Sequence, residues 1–200
     1  MALKKMTVLR HGIAVPTWTG MTYEQDIGRM LSSEGHEGIV RRRTTLGVTH
    51  YGVVLVSPTC RTEMTAIALM GQTDLDAMRH IKELCYDNLD TPRGKWLAAQ
   101  YQELGFKPYR VYYQRDTENH LGKQGSAALR QCLQAAEDAS AEHALVVTHM
   151  PILPCLGLSA TAGVSRKWDK TFLDYAFKEG EGFTLTMEGR MASDVEFHIN

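Results

Sequence analysis

Two histidines and two arginines of this 200-residue chain stand where short apolar runs give way to polar residues. Arg10 and His11 follow Met6 to Leu9, and Thr148 and His149 follow Ala144 to Val147. Arg61 lies one helical turn beyond Ser57, which closes the run Gly52 to Val56. A guanidinium keeps its charge and makes paired hydrogen bonds to phosphate oxygens, and a neutral imidazole is a nucleophile. Singly, each feature is ambiguous, since Arg-His-Gly recurs by chance and a histidine after a strand is more often a structural hydrogen-bonding group than a catalyst. Gathered at one place, the four make a coherent set for binding a phosphoryl group and accepting it on nitrogen.

The elements that must gather them are readable from pattern. Met6 to Leu9, Gly52 to Val56 and Ala144 to Val147 predict buried strands, each ending in polar residues, with Gly12 allowing a turn after the first. Ser32 or Ser33 caps a helix running through Ile39 and Val40 toward Leu46. Arg41, Arg42 and Arg43 within it fan out around the axis, and a solvated face is the reading for most of them. Further helices are expected around Arg61, Thr65 and Ala66, over Ile81 to Tyr86, over Lys95 to Leu104, over Ser126 to Ala139, and from Met150-Pro151 onward. Phe183 to Met187 and Val195 to Phe197 alternate like strands about Gly189. Phe106 to Gly125 carries mixed signals and receives no assignment. Strands alternating with helices imply one domain over residues 1–200, a three-layer α/β/α fold with a mostly parallel central sheet. In such sheets ligands sit beyond the carboxyl ends of the strands, which brings all three polar strand ends to one rim.

Composition narrows the partners. A formal charge of −1 and a pI near 6.7 give no basic face for nucleic acid. No apolar run reaches the roughly 18 residues of a membrane span or has the form of a signal peptide, so a cytoplasmic location without a membrane partner is expected. Cys60, Cys85, Cys132 and Cys155 are scattered and read as buried reduced thiols. His36, His50, His80, His120, His143 and His198 are equally dispersed, so neither a metal site nor a cofactor is expected. Oligomeric state is not legible.

Four blocks, in order, resemble the histidine phosphatase superfamily, also called phosphoglycerate mutase-like. They are Leu9-Arg10-His11-Gly12, the segment Asp26 to Gly35, the segment Ser57 to Ala66, and Val146-Val147-Thr148-His149. Together they span nearly the whole chain. The resemblance implies the phosphoglycerate mutase-like fold and a phosphatase acting on a phosphomonoester or phosphoramidate, with His11 as the phosphorylated nucleophile. It makes Arg10, Arg61 and His149 phosphate-binding residues. It also makes Thr17 a candidate phosphate contact, with an ordinary loop threonine as the equal alternative. The segment Asp26 to Gly35 is similar to the bacterial branch acting on phosphohistidine in proteins. A phosphorylated small molecule is comparably supported as substrate, and a mutase less so.

The family places a proton donor after the second arginine block, where Glu83 stands. Asp87, one turn later, is the alternative, and Asp116 and Glu118 are outside candidates. Residues 88–125 are read as a substrate-specificity insertion. The competing reading of the whole chain is a catalytically idle module that binds a phosphorylated ligand. Trp18, Tyr86, Trp96, Tyr112 and Tyr113 are given no role, since aromatics at this density are usually core.

Overall fold

A computed structural model of the chain describes residues 2–47, 50–71, 78–85 and 91–199. In chain order the elements are β1 (Lys5–Arg10), α1 (Tyr23–Ile27), α2 (Ser33–Leu46), β2 (Val53–Val56), α3 (Cys60–Met70) and β3 (Met78–His80). A single 3-10 turn, Lys82–Leu84, leads on to α4 (Pro92–Leu104), α5 (Tyr109–Tyr113), α6 (His120–Asp138) and β4 (His143–Thr148). The chain closes with α7 (Ile152–Thr161), α8 (Asp169–Asp174), β5 (Gly182–Glu188) and β6 (Met191–His198). One six-stranded sheet has the order β3-β2-β4-β1-β5-β6. Its first four strands are parallel, and β5 and β6 run antiparallel to their neighbours.

Side chains alternate between the faces of a strand, and this sheet is covered on both. Met6, Val8, Val53, Leu55, Ala144 and Val146 point into one core, which α6 and α7 close with Ala128, Cys132, Leu153 and Leu156. Leu9, Val54, Val56, Leu145 and Val147 point into the other, against Ile39 of α2 and Ala66 and Leu69 of α3. This is the expected three-layer α/β/α arrangement. A third cluster, Leu97, Tyr109, Tyr112, Leu121 and Cys155, ties α4 and α5 to α6 and α7. Among the described residues no helix is long and apolar enough to cross a membrane.

Several expectations need correction. The helix expected over Ile81 to Tyr86 is a strand end followed by the 3-10 turn, with Tyr86 outside the described residues. Ile81 N–H still bonds Val56 O in the sheet ladder, and the carbonyls a helix would use are claimed by side chains. Gln124 Nε2 donates to Glu83 O and Cys85 O, and Thr148 Oγ1 donates to Leu84 O. Of the three consecutive arginines Arg42 is the one not left to solvent: it donates to Gly180 O at 3.0 Å and His198 O at 2.6 Å, tying α2 to the C-terminal strands. Arg41 and Arg43 are exposed as expected. The unassigned stretch after Phe106 contains α5 and the start of α6. There the Asp116 carboxylate accepts from His120 N–H and Leu121 N–H and fixes the helix start.

Candidate active site

The polar ends of β1, β2 and β4 meet at the carboxyl rim of the sheet. Arg10, His11, Arg61 and His149 all line one cavity of about 720 Å³ there, together with Thr17, Asp26, Arg29 and Glu179. Tyr23 from α1 and Ala98, Tyr101 and Gln102 from α4 complete its walls.

His11 is held from three sides. Its N–H bonds Thr148 O of β4, and its carbonyl, with that of Arg10, accepts from Gly180 N–H. Its ring Nδ1 lies 2.7 Å from Gly12 O. A carbonyl only accepts, so Nδ1 carries the proton and Nε2 is left with the lone pair. Burial lowers the His11 pKa well below its ordinary value, and the positive charges of Arg10 and Arg61 lower it further. The imidazole is therefore neutral at pH 7, as a nucleophile requires.

Gly12 is demanded by close approach rather than by backbone conformation. A Cβ there would lie 2.8 Å from Ile39 Cγ1 and 3.2 Å from Gly35 O, so only glycine lets α2 pack against the loop after β1. Gly12 N–H donates to Thr65 Oγ1, which anchors the same loop to α3.

His149 faces His11 with ring centroids 5.0 Å apart. Its Nε2 lies 2.6 Å from Ser57 Oγ, within a hydroxyl network that includes Thr59 and Thr62. Burial lowers its pKa well below the ordinary value, and His11, Arg61 and Arg10 act in the same direction. The cavity thus holds two neutral imidazoles between fixed cations.

Each of the two deep guanidiniums is already engaged. Arg10 Nη1 donates to Phe177 O at 2.9 Å and Nη2 to Glu179 Oε1 at 2.6 Å, while its face lies over the Phe106 ring with Cζ 4.5 Å from the centroid. Arg61 Nη1 donates to Asp26 O at 2.5 Å and Nη2 to Asp26 Oδ2 at 3.2 Å. The Nε atoms of both are buried and make no hydrogen bond among the described residues. Arg29 donates from Nε to Asp26 Oδ1 at 2.8 Å and from Nη1 to Val15 O at 2.9 Å.

None of the described proton-donor candidates lines this cavity. Glu83 sits in the 3-10 turn and is not among the cavity's lining residues; its charge is felt instead by the buried Cys132 thiol on α6. Asp116 caps α6, and the mostly exposed Glu118 pairs with His120. Asp87 lies outside the described residues. Among the described residues the cavity's carboxylates are Asp26 and Glu179. Asp26 and Arg29 belong to a block already singled out, where their i,i+3 spacing was the available signal. Glu179 and Tyr101 had none, since neither follows a strand end.

No curated protein matches the chain by sequence. Solved structures share its fold. The protein histidine phosphatase SixA complexed with tungstate superposes with a TM-score of 0.56 at 17% identity, over 96% of this chain and 93% of that one. The alpha-ribazole phosphatase from Shigella flexneri gives 0.59 at 15% identity, over 98% and 95%. Phosphoglycerate mutase from Bacillus anthracis str. Sterne gives 0.61 at 13% identity, over 100% and 93%. Residues 6–176 match the histidine phosphatase superfamily (branch 1), and the chain belongs to that family.

Proposed function

We propose that the protein is a phosphatase that transfers a phosphoryl group to His11 Nε2 and releases it to water. The observation that carries this reading is the state of His11: a buried neutral imidazole with Nδ1–H tied to Gly12 O, in a cavity walled by Arg10, Arg29 and Arg61. In the first step the Nε2 lone pair forms a P–N bond in line with the leaving group, whose bond to phosphorus breaks and which departs with the electron pair. Negative charge spreads over the equatorial oxygens, where Arg10, Arg61 and His149 offer preorganised donors. In the second step a water oxygen attacks phosphorus, the P–N bond breaks, and Nε2 recovers its lone pair.

Among the described donor candidates none lines the cavity, Glu83 included, which supports a leaving group that needs little acid help. A phosphoramidate, whose nitrogen departs more readily than an alkoxide, fits this better than an alkyl phosphate. The fold shared with SixA, a protein histidine phosphatase solved with a tetrahedral oxyanion, supports the same class. Residues 88–125 serve as the specificity insertion in this reading, supported by Ala98, Tyr101 and Gln102 of α4 in the cavity wall.

The test is hydrolysis of a generic aryl phosphate and of phosphohistidine by wild type and His11→Ala. Turnover by wild type alone is expected, together with trapping of phosphate on His11 in samples quenched in alkali, where a phosphoramidate survives. Equal turnover by both proteins removes His11 as the nucleophile. Binding of phosphate without turnover or trapping on any substrate identifies the idle phosphate-binding module instead.

A further inference from the structure

We propose that Asp26 and Glu179 are built-in counter-ions of the phosphoryl site, which the substrate's phosphoryl group displaces from the guanidiniums and which return when phosphate leaves. The inference rests on the reading of this cavity as a phosphoryl site. Arg61 and Arg10 are fixed deep in the fold, with side chains 3% and 8% exposed, whereas their partners Asp26 and Glu179 are 33% and 34% exposed. The cations belong to a helix and a strand end. The anions belong to the five-residue α1 and to the turn between α8 and β5. Both carboxylates line the cavity itself, so they stand on the side from which a ligand enters.

A cation as deep as Arg61 is costly to leave without a counter-charge, which explains why an anion site carries its own anions when empty. The compensation is incomplete, since each guanidinium retains a buried Nε without a partner among the described residues. A phosphoryl group brings three oxygens and up to two negative charges to these donors, more than either carboxylate offers.

Displaced Asp26 has another partner in reach. Asp26 keeps Arg29, whose Nε already holds its second oxygen at 2.8 Å. Glu179, a third exposed, also lines a neighbouring cavity of about 270 Å³ whose wall includes Arg41 and Arg42. The exchange therefore leaves Asp26 paired and Glu179 beside solvent and further cations. Its consequence is a site whose hold on inorganic phosphate is deliberately weakened, which favours product release.

The test is titration calorimetry of inorganic phosphate into the full chain, comparing wild type with Asp26→Asn and Glu179→Gln. Neutralising either acid is expected to tighten phosphate on the order of ten-fold, through lost competition and lost like-charge repulsion. It should also lower the melting midpoint of the phosphate-free protein, with saturating phosphate restoring more of it in the variants than it adds to wild type. Unchanged or weaker phosphate binding in the variants overturns the proposal, because acids that merely hold the arginines in place give that result. Phosphate binding by none of the three proteins overturns it as well. If Asp26→Asn fails to fold, Glu179→Gln decides alone, since the two acids lie on separate segments. Tighter binding without wild-type turnover retains the counter-ions and removes the phosphatase reading; turnover without tighter binding does the reverse.

Discussion

At the scale of single residues, His11 and His149 divide the labour by what their second nitrogens touch. Gly12 O fixes the His11 proton on Nδ1, and Ser57 Oγ meets His149 Nε2. The Ser57 hydroxyl can donate to or accept from that nitrogen, and in the proposed reading loss of His149 removes one contact to the developing charge. His149→Ala is expected to lower kcat by about 10²–10³ with a smaller effect on KM, by analogy with removal of one oxyanion donor. Steady-state kinetics on an aryl phosphate check this, and an unchanged kcat excludes His149 from the transition state. These residues were legible because a strand end leaves a local mark: an apolar run, then a polar residue. Glu179 was not, because it reaches Arg10 across 169 positions of chain and only tertiary structure brings it there.

At the scale of elements, α2 shows how glycine acts by what surrounds it. In an exposed helix Gly→Ala gains about 1 kcal/mol. Gly38 has nothing within 4 Å of an added Cβ, so Gly38→Ala is expected to stabilise the protein by up to about that amount. At Gly35 the added Cβ would stand 2.0 Å from Ile13 O, in the loop that follows His11. Gly35→Ala is expected to destabilise by about 1–3 kcal/mol and to lower activity as the loop is pushed aside. Urea unfolding of both variants checks the opposite signs; stabilisation by both would mean that α2 does not press on that loop. The helix itself was legible from its cap, with Ser32 Oγ accepting from Gly35 N–H. The turn at Lys82–Leu84 was not, since Gln124 and Thr148, which claim its carbonyls, lie some 40 and 64 positions away.

At the scale of the whole molecule, the buried neutral histidines couple stability to pH. His11 and His149 have pKa values well below 6.5 in the folded state and regain the ordinary value on unfolding. Below pH 6.5 the unfolded chain therefore binds more protons than the folded one, so stability present above 6.5 is lost as pH falls. Each histidine contributes a slope of up to about 1.4 kcal/mol per pH unit in that window. Unfolding midpoints at pH 7.5 and 5.5 are expected to diverge less in His11→Gln than in wild type. An identical divergence would assign the acid sensitivity to other groups. The layered architecture was legible because buried strands and helices alternate along the chain. The strand order was not, since no local pattern says that β1 lies between β4 and β5.

That position of β1 governs when the site comes into being. The strand bearing Arg10 and His11 takes its neighbours from residues 143–148 on one edge and 182–188 on the other, and Gly180 N–H closes on the carbonyls of both site residues. Neither partner is near it in sequence, and such long-range pairing is of the kind that folds slowly. The rim that seats Arg10 and His11 is thereby complete only once the hairpin of β5 and β6 has docked.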